Sequence, residues 1–253
     1  MNERARIAKL NRWVPILNIA ALIALFATLG MIFFYAPIER SMGNVQRLFY
    51  FHVGSAWVGS IAFFVALVGS AAYLRTQRFI WDTIALCSVE IGLVFLTMGI
   101  IGGSVWGKPA WNAWWDWTPR LTLVAIAWLT YVAYLMLRGA IAEPARRARF
   151  SAVYAIGAFV TIIMSYLSTR FLRDIHPVVF GGQTEASQGL EQGLQDFAPG
   201  LDSMRMGITI TVAAVALTIL FAAWLVYRIR LQLMMDETNE LKARVTAHLQ
   251  ESR

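Results

Sequence analysis

The sequence predicts an all-α membrane protein with six transmembrane helices, both termini on the inner side, and a Trp-rich outer loop between helices 3 and 4. Three observations carry that prediction. Of the 253 residues, 58% are hydrophobic, well above the roughly 45–50% apolar share of a soluble domain, and a bilayer takes up such an excess where a globular core cannot. Six apolar runs each approach the ~20 residues that a helix needs to cross ~30 Å of hydrocarbon. The 22 Lys and Arg residues divide unevenly between alternate loops. No alternating pattern of the barrel type recurs, which argues against strands.

Taken in order, the first run covers residues 14 to 36, with only Asn18 and Thr28 as polar interruptions, and follows the basic residues Arg4, Arg6, Lys9 and Arg12. It is about twice as long as a signal-peptide core, so it reads as an uncleaved span. The second run, 51 to 74, opens at His52, and the third, 83 to 105, contains Cys87 and Glu90. The fourth, 121 to 137, is short and begins directly after the Trp-rich segment; the fifth and sixth cover 150 to 169 and 206 to 227. Beyond Tyr227 the chain turns polar, with Leu231, Met234, Met235, Leu241 and Val245 at roughly helical spacing, the pattern of an amphipathic helix. The expected organisation is a six-helix transmembrane domain over 1–227 and a cytoplasmic amphipathic tail over 228–253, with no internal repeat.

Basic residues decide the orientation, because they accumulate on the cytoplasmic side. With the N-terminus inside, the inner segments carry Arg4, Arg6, Lys9, Arg12, Arg75, Arg78, Arg138, Arg146, Arg147, Arg149, Arg228, Arg230, Lys242, Arg244 and Arg253. The outer segments carry only Arg40, Arg47, Lys108, Arg120, Arg170, Arg173 and Arg205. The expected outer loops are therefore 37 to 50, 106 to 120 and 170 to 205, the last holding Asp174, Glu185, Glu191, Asp196 and Asp202. The same scatter explains the net charge of +7 without nucleic acid, since no continuous basic strip exists. A single Cys excludes a disulfide framework, a paired-cysteine redox site and an iron–sulfur cluster held by this chain alone.

Two of the three histidines fall on the predicted outer face: His52, within Phe49-Tyr50-Phe51-His52-Val53-Gly54-Ser55-Ala56-Trp57, and His176, within Asp174-Ile175-His176-Pro177. His248, in the inner tail, reads as a solvated surface residue. Between the first two, on the same face, runs Trp106-Gly107-Lys108-Pro109-Ala110-Trp111-Asn112-Ala113-Trp114-Trp115-Asp116-Trp117-Thr118-Pro119-Arg120, which holds five of the ten tryptophans. An interfacial aromatic belt accounts for Trp13, Trp57, Trp81, Trp128 and Trp224, but poorly for so dense a cluster. A broad apolar surface of ring faces suits a porphyrin plane, and two neutral imidazoles are ligands that haem iron accepts. The two haem carboxylates need cations at the membrane surface; Arg120, Lys108, Arg47, Arg170 and Arg173 are available, with Arg120 favoured because it closes the Trp segment. Each of these can equally be a snorkelling anchor. Gly54, Ser55, Ala56 and Gly59 narrow the second helix, and close helix packing explains them as well, as it does Gly99 and Gly103. Glu90 within the third span is either a functional group or a hydrogen-bonded structural acid; the sequence offers it no partner.

At this point the residues resemble a known family. The segment WGKPAWNAWWDWTPRLT is similar to the WWD motif of haem-handling membrane proteins, and the whole span set resembles the cytochrome c maturation protein C family of six-span haem exporter proteins. That resemblance implies haem b with His52 and His176 as the axial iron ligands. It implies a haem platform of Trp106, Trp111, Trp114, Trp115 and Trp117, with Asp116 and Arg120 as further haem-binding residues and no catalytic residues. The implied partners are an ABC transporter ATPase and permease, a small single-helix subunit and a periplasmic haem chaperone, besides membrane lipid. The implied location is a bacterial inner membrane or an organellar inner membrane. In one respect the sequence departs from the family pattern: an Asp is expected directly after the last Trp, where Thr118 stands, while Asp116 precedes Trp117. An orienting contact from Asp116 to Arg120 across the Thr118-Pro119 turn is the corresponding expectation.

The leading reading is thus a haem-delivery protein, not an enzyme. A cytochrome c haem lyase of the same superfamily would be longer and carry more histidines. A membrane cytochrome b would place paired histidines within its spans, and a plain permease has no use for the Trp platform.

Overall fold

A computed structural model describes residues 3–39, 42–172, 176 and 204–251. Arg40, Arg173, Gly182 and the acidic residues from Asp174 to Asp202 lie outside the described residues. The described chain is helical and contains six helices long and apolar enough to cross a membrane. They are α1 (Glu3–Gly30), continued by a π-helical turn at Met31–Tyr35, α2 (Gln46–Thr76), α3 (Phe79–Trp111), α4 (Pro119–Ala140), α5 (Pro144–Phe171) and α6 (Met204–Glu251).

Each of the six predicted apolar runs lies in a helix, and every helix is longer than its run. At 1.5 Å per residue, the 31 residues of α2 reach about 46 Å, past both edges of the hydrocarbon layer. Hydropathy falls at the headgroups, but the helix continues because each backbone N–H and C=O still needs a partner there. The largest revision concerns α3, which continues through Trp111. Trp106, Lys108, Pro109 and Trp111 are therefore helical, and the connection to α4 shrinks to residues 112–118. Lys108 closes this end by donating from Nζ to the Asn112 carbonyl at 2.9 Å, while Asn112 takes the left-handed conformation at φ 56°, a common helix stop. At the far end of the bundle, Gln77 at φ 53° ends α2 one residue before the cap of α3. The Glu143 carboxylate accepts from the N–H groups of Ala145 and Arg146 at the start of α5. α6 runs unbroken past Tyr227 to Glu251, and every side chain from Leu241 to Gln250 is exposed.

The antiparallel pair α2 and α3 forms the centre. α1 and α6 lie on one side of it, α5 and α4 on the other, and α4 rests mainly on α5 with only a light contact to α3. Small residues bring α2 and α3 together: a Cβ on Gly59 would lie 3.4 Å from the Leu96 nitrogen, and one on Gly69 3.0 Å from the Trp81 carbonyl. Gly54 faces α6, where its Cβ would meet Leu217 Cδ1 at 2.7 Å. Those glycines serve helix packing.

Polar contacts fasten α4 and α6 onto α3. Arg138 forks onto Asp82 through bonds of 2.6 and 2.8 Å. Glu90, without a partner in the sequence reading, receives Arg228 of α6, with Nε at 2.9 Å from one carboxylate oxygen and a second bond of 3.0 Å to the other. Glu90 is thereby a structural ion pair. Trp128 departs from the belt expectation: its indole N–H donates to Thr97 Oγ1 at 2.9 Å, so it joins α4 to α3 inside the bundle. Trp13, Trp57 and Trp224, at 48%, 45% and 39% exposure, do face outward as a belt requires.

Candidate functional site

Alternation of the helices brings the starts of α2, α4 and α6 and the ends of α3 and α5 to one end of the bundle. Two empty spaces open there between the helices. The smaller is walled by α2, α3, the 112–118 connection and the start of α4. The larger, about 1420 Å³, lies between α2, α4 and α5. Both contain His52, Ala56, Leu96, Arg120, Val124 and His176 in their walls, so the two histidines and Arg120 stand where the spaces meet. The walls are mainly apolar with a few polar groups, the usual composition of a ligand site.

His52 stands on the second turn of α2. Its Nδ1 lies 2.7 Å from the carbonyl oxygen of Gly99 on α3. A carbonyl can only accept, so Nδ1 carries the proton and Nε2 keeps its lone pair for a ligand. The ring centroids of His52 and His176 are 6.2 Å apart, with planes inclined at 48°. Two imidazoles sharing one metal ion from opposite sides would have centroids about 6.4 Å apart, taking ~2.0–2.1 Å for each metal–nitrogen bond, as for zinc, and roughly 1.2 Å from nitrogen to ring centre. The observed separation is of that size. Among the described residues, no group of three or more His, Cys, Asp or Glu side chains could hold a bare metal ion. The histidine pair suits an ion whose remaining ligands arrive with it, as the four nitrogens of a porphyrin do.

The five tryptophans of the segment take different places. Trp106 is 2% exposed and acts as a pillar: its N–H donates to Gln46 Oε1 at 3.3 Å, and its ring meets Trp111 edge-on at 5.4 Å. Trp111 in turn lies 6.3 Å from the His176 ring. Trp106, Trp111, Trp114 and Trp115 all line the smaller space. Trp117 does not; it is 72% exposed and props Trp115 edge-on at 5.7 Å. Trp114 is also largely exposed, at 60%, so the connection presents an aromatic rim.

Of the candidate cations described, only Arg120 lines the two spaces, and its guanidinium also donates to the Ser165 carbonyl of α5 at 3.5 Å. Lys108 is used at the end of α3, Arg47 lies over the Phe33 ring, Arg170 over Tyr166 and Arg205 over Tyr35. Asp116 lines the smaller space, but it forms no ion pair with Arg120, contrary to the sequence expectation. The reason lies in Thr118. Thr118 is the N-cap of α4, its hydroxyl accepting from the Leu121 N–H and its carbonyl from the Thr122 N–H, with Pro119 in the first turn. Starting the helix there directs Arg120 towards α5, while Asp116 stays exposed on the connection. Thr and Asp are both good N-caps, so this position keeps its cap with either residue.

Three contributors were not identified as site residues from the sequence. Gln46, which no motif marks, is 2% exposed and holds Trp106. Gly99 and Gly103 read as helix-packing residues, yet both face His52 or its helix directly.

Comparison with known proteins shows the family to which the chain belongs. A family model described as heme exporter protein C matches residues 2–244. The chain is similar to the heme exporter protein C of Rhodobacter capsulatus, 28% identical over 66% of this chain and 69% of that protein. It is similar to that of Paracoccus denitrificans at 27% over 83% of each. A shorter stretch, 36% of this chain, is 42% identical to the cytochrome c biogenesis protein CcsA of Prochlorococcus marinus and spans 28% of that protein.

Proposed function

The chain belongs to the heme exporter protein C family of cytochrome c biogenesis, and from that premise we propose that it carries haem b as cargo between His52 and His176 and hands it to a periplasmic haem chaperone. The observation that carries the reading is the histidine pair, 6.2 Å between centroids, with the His52 Nδ1 proton committed to Gly99. In this reading haem brings the equatorial nitrogens, two carboxylates and the peripheral carbons that react later. The chain supplies the two axial imidazoles, an apolar wall from Trp106, Trp111, Trp114 and Trp115, and Arg120 as the cation for a carboxylate. The exposed faces of Trp114 and Trp117 provide a rim on which the chaperone can rest. An ABC transporter ATPase and permease and a single-helix subunit are the partners we expect beside it. The stretch similar to CcsA covers 28% of that protein, too little to carry its activity across to this chain.

The direct test is an absorption spectrum of the purified membrane protein, alone and after mixing with the haem-free chaperone. Low-spin haem bands that disappear from this chain as haem becomes covalently attached to the chaperone are expected. A protein that purifies without haem from haem-replete cells would sink the proposal.

Delivery outside the cytoplasm requires the histidine end of the bundle to face outward, as the distribution of basic residues predicts. A reporter active only outside the cytoplasm should work when fused at Gly182 and fail when fused after Arg230. The inverse pattern would place the site, and the delivery, on the wrong side. In the proposed orientation the last turns of α6 project into the cytoplasm as the tail that follows the transmembrane domain.

A further inference from the structure

We infer that Gly103, together with the carbonyl of Gly99, is a seat that holds the His52 imidazole, so that the third helix sets which nitrogen the ring presents and at what angle. The consequence for haem rests on the ligand assignment proposed above. The seat itself is a property of the polypeptide and can be tested without haem.

The geometry is close. A Cβ built on Gly103 would lie 2.6 Å from Cε1 of His52, 2.8 Å from Nδ1 and 3.5 Å from Nε2. At the first two distances something must move. The ring cannot swing aside cheaply, because Nδ1 is bound to the Gly99 carbonyl at 2.7 Å and the backbone of the same helix turn is pressed against α3. A Cβ on Gly99 would lie 3.4 Å from the Ala56 nitrogen, and one on Gly102 3.5 Å from the His52 Cβ. Rotating the imidazole to clear a methyl group at 103 would break the Nδ1 bond and with it the choice of tautomer.

The Gly99–Gly103 spacing is the one that lets two membrane helices approach through their backbones. At Gly99 the nearest opposing atom is backbone, the Ala56 nitrogen at 3.4 Å, followed by its Cα and Cβ at 3.6 Å. At Gly103 the nearest atoms belong to an aromatic side chain, and this difference separates a seat from ordinary packing. Gly102, in ordinary van der Waals contact, is an internal control on the same helix turn.

The test is a mutant cycle on the full chain in lipid nanodiscs: Gly103→Ala and Gly102→Ala, each with His52 intact and with His52→Ala. Thermal unfolding of the haem-free proteins is the first readout. Gly103→Ala is expected to lower the Tm while His52 is present and to cost nothing once the ring is removed, since alanine itself favours a helix over glycine. Gly102→Ala should change the Tm little in either background. If Gly103→Ala does not accumulate alone, its recovery with His52→Ala is the same rescue. Equal destabilisation by Gly103→Ala in both backgrounds would overturn the seat and leave helix packing as its role.

The second readout is the electron paramagnetic resonance spectrum of ferric haem added to the intact-His52 proteins, whose anisotropy follows the angle between the imidazole planes, 48° here. Gly103→Ala should shift that anisotropy, or weaken haem binding roughly 10- to 100-fold as changes behind a metal ligand commonly do, whereas Gly102→Ala should not. An unchanged spectrum and affinity in Gly103→Ala would overturn the inference that the seat orients the ligand. Failure of the ligand assignment looks different: His52→Ala would keep the parental spectrum while the coupling in Tm persisted.

Discussion

Alanine at either His52 or His176 is expected to abolish the low-spin haem spectrum and to lower the haem content of the purified protein by at least about tenfold, the change that a loss of ~1.4 kcal/mol in binding already produces. In the proposed site six-coordinate iron needs both imidazoles, and the described residues offer no ready substitute. The described walls of the two spaces contain no further histidine, cysteine or methionine. His248 lies exposed near the far end of α6 and serves as the control, so His248→Ala should leave the spectrum intact. Free imidazole should restore part of the low-spin spectrum to His52→Ala by filling the vacated place, with the Gly99 carbonyl still available to its N–H. Titration of haem into each variant, followed by absorption, gives the numbers. Parental spectra from both alanine variants would remove the histidine pair from the mechanism.

A comparably large effect is expected far from the haem site. Asp82→Ala should cost about 3–5 kcal/mol of stability, because it leaves the Arg138 guanidinium buried without its counter-charge. The two side chains are only 10% and 11% exposed, and the shortest contact is 2.6 Å. The fork-on-carboxylate geometry also makes Arg138→Lys a poor replacement, since an ammonium cannot make both parallel bonds. This pair ties α4 to α3 at the end of the bundle opposite the histidines, where the two helices otherwise touch little. Removing both charges together, as Asp82→Leu with Arg138→Met, should recover most of the loss, since burying two charges is itself costly. Thermal unfolding of the full chain in nanodiscs measures each variant. An Asp82→Ala protein as stable as the parent would mean that the pair contributes little.

Residue types alone settle the helical membrane class and the count of six candidate spans. Lipid leaves the backbone no water to bond with, so an apolar run of sufficient length must become a helix, and those runs can be read directly from residue types. The same count also places His52, the Trp segment and His176 at one end, because an even number of crossings separates the two histidines and an odd number would have put them at opposite ends. The starts of α4 and α5 at Pro119 and Pro144 lie two and six residues before the apolar runs that hydropathy marks at 121 and 150, although proline in a first turn is a usual helix start. The ends at Trp111 and Glu251 were not legible either, because hydropathy reports where lipid stops and not where the backbone stops being helical. Everything that depends on two distant side chains meeting belonged to the tertiary structure. Glu90 and Arg228 are 138 residues apart in the chain; the acid stands out within its span, but nothing in the sequence marks Arg228, one more basic residue at the inner edge, as its partner. Asp116 and Arg120 are near neighbours in sequence, yet the cap at Thr118 and the packing of α4 on α5 turn the arginine away. The same holds for Gly103, whose spacing from Gly99 fits backbone packing and a ring seat equally well. What separates them is the atom on the facing helix, and that is set by the rotation and depth of α2 against α3, quantities that no local pattern of residues contains.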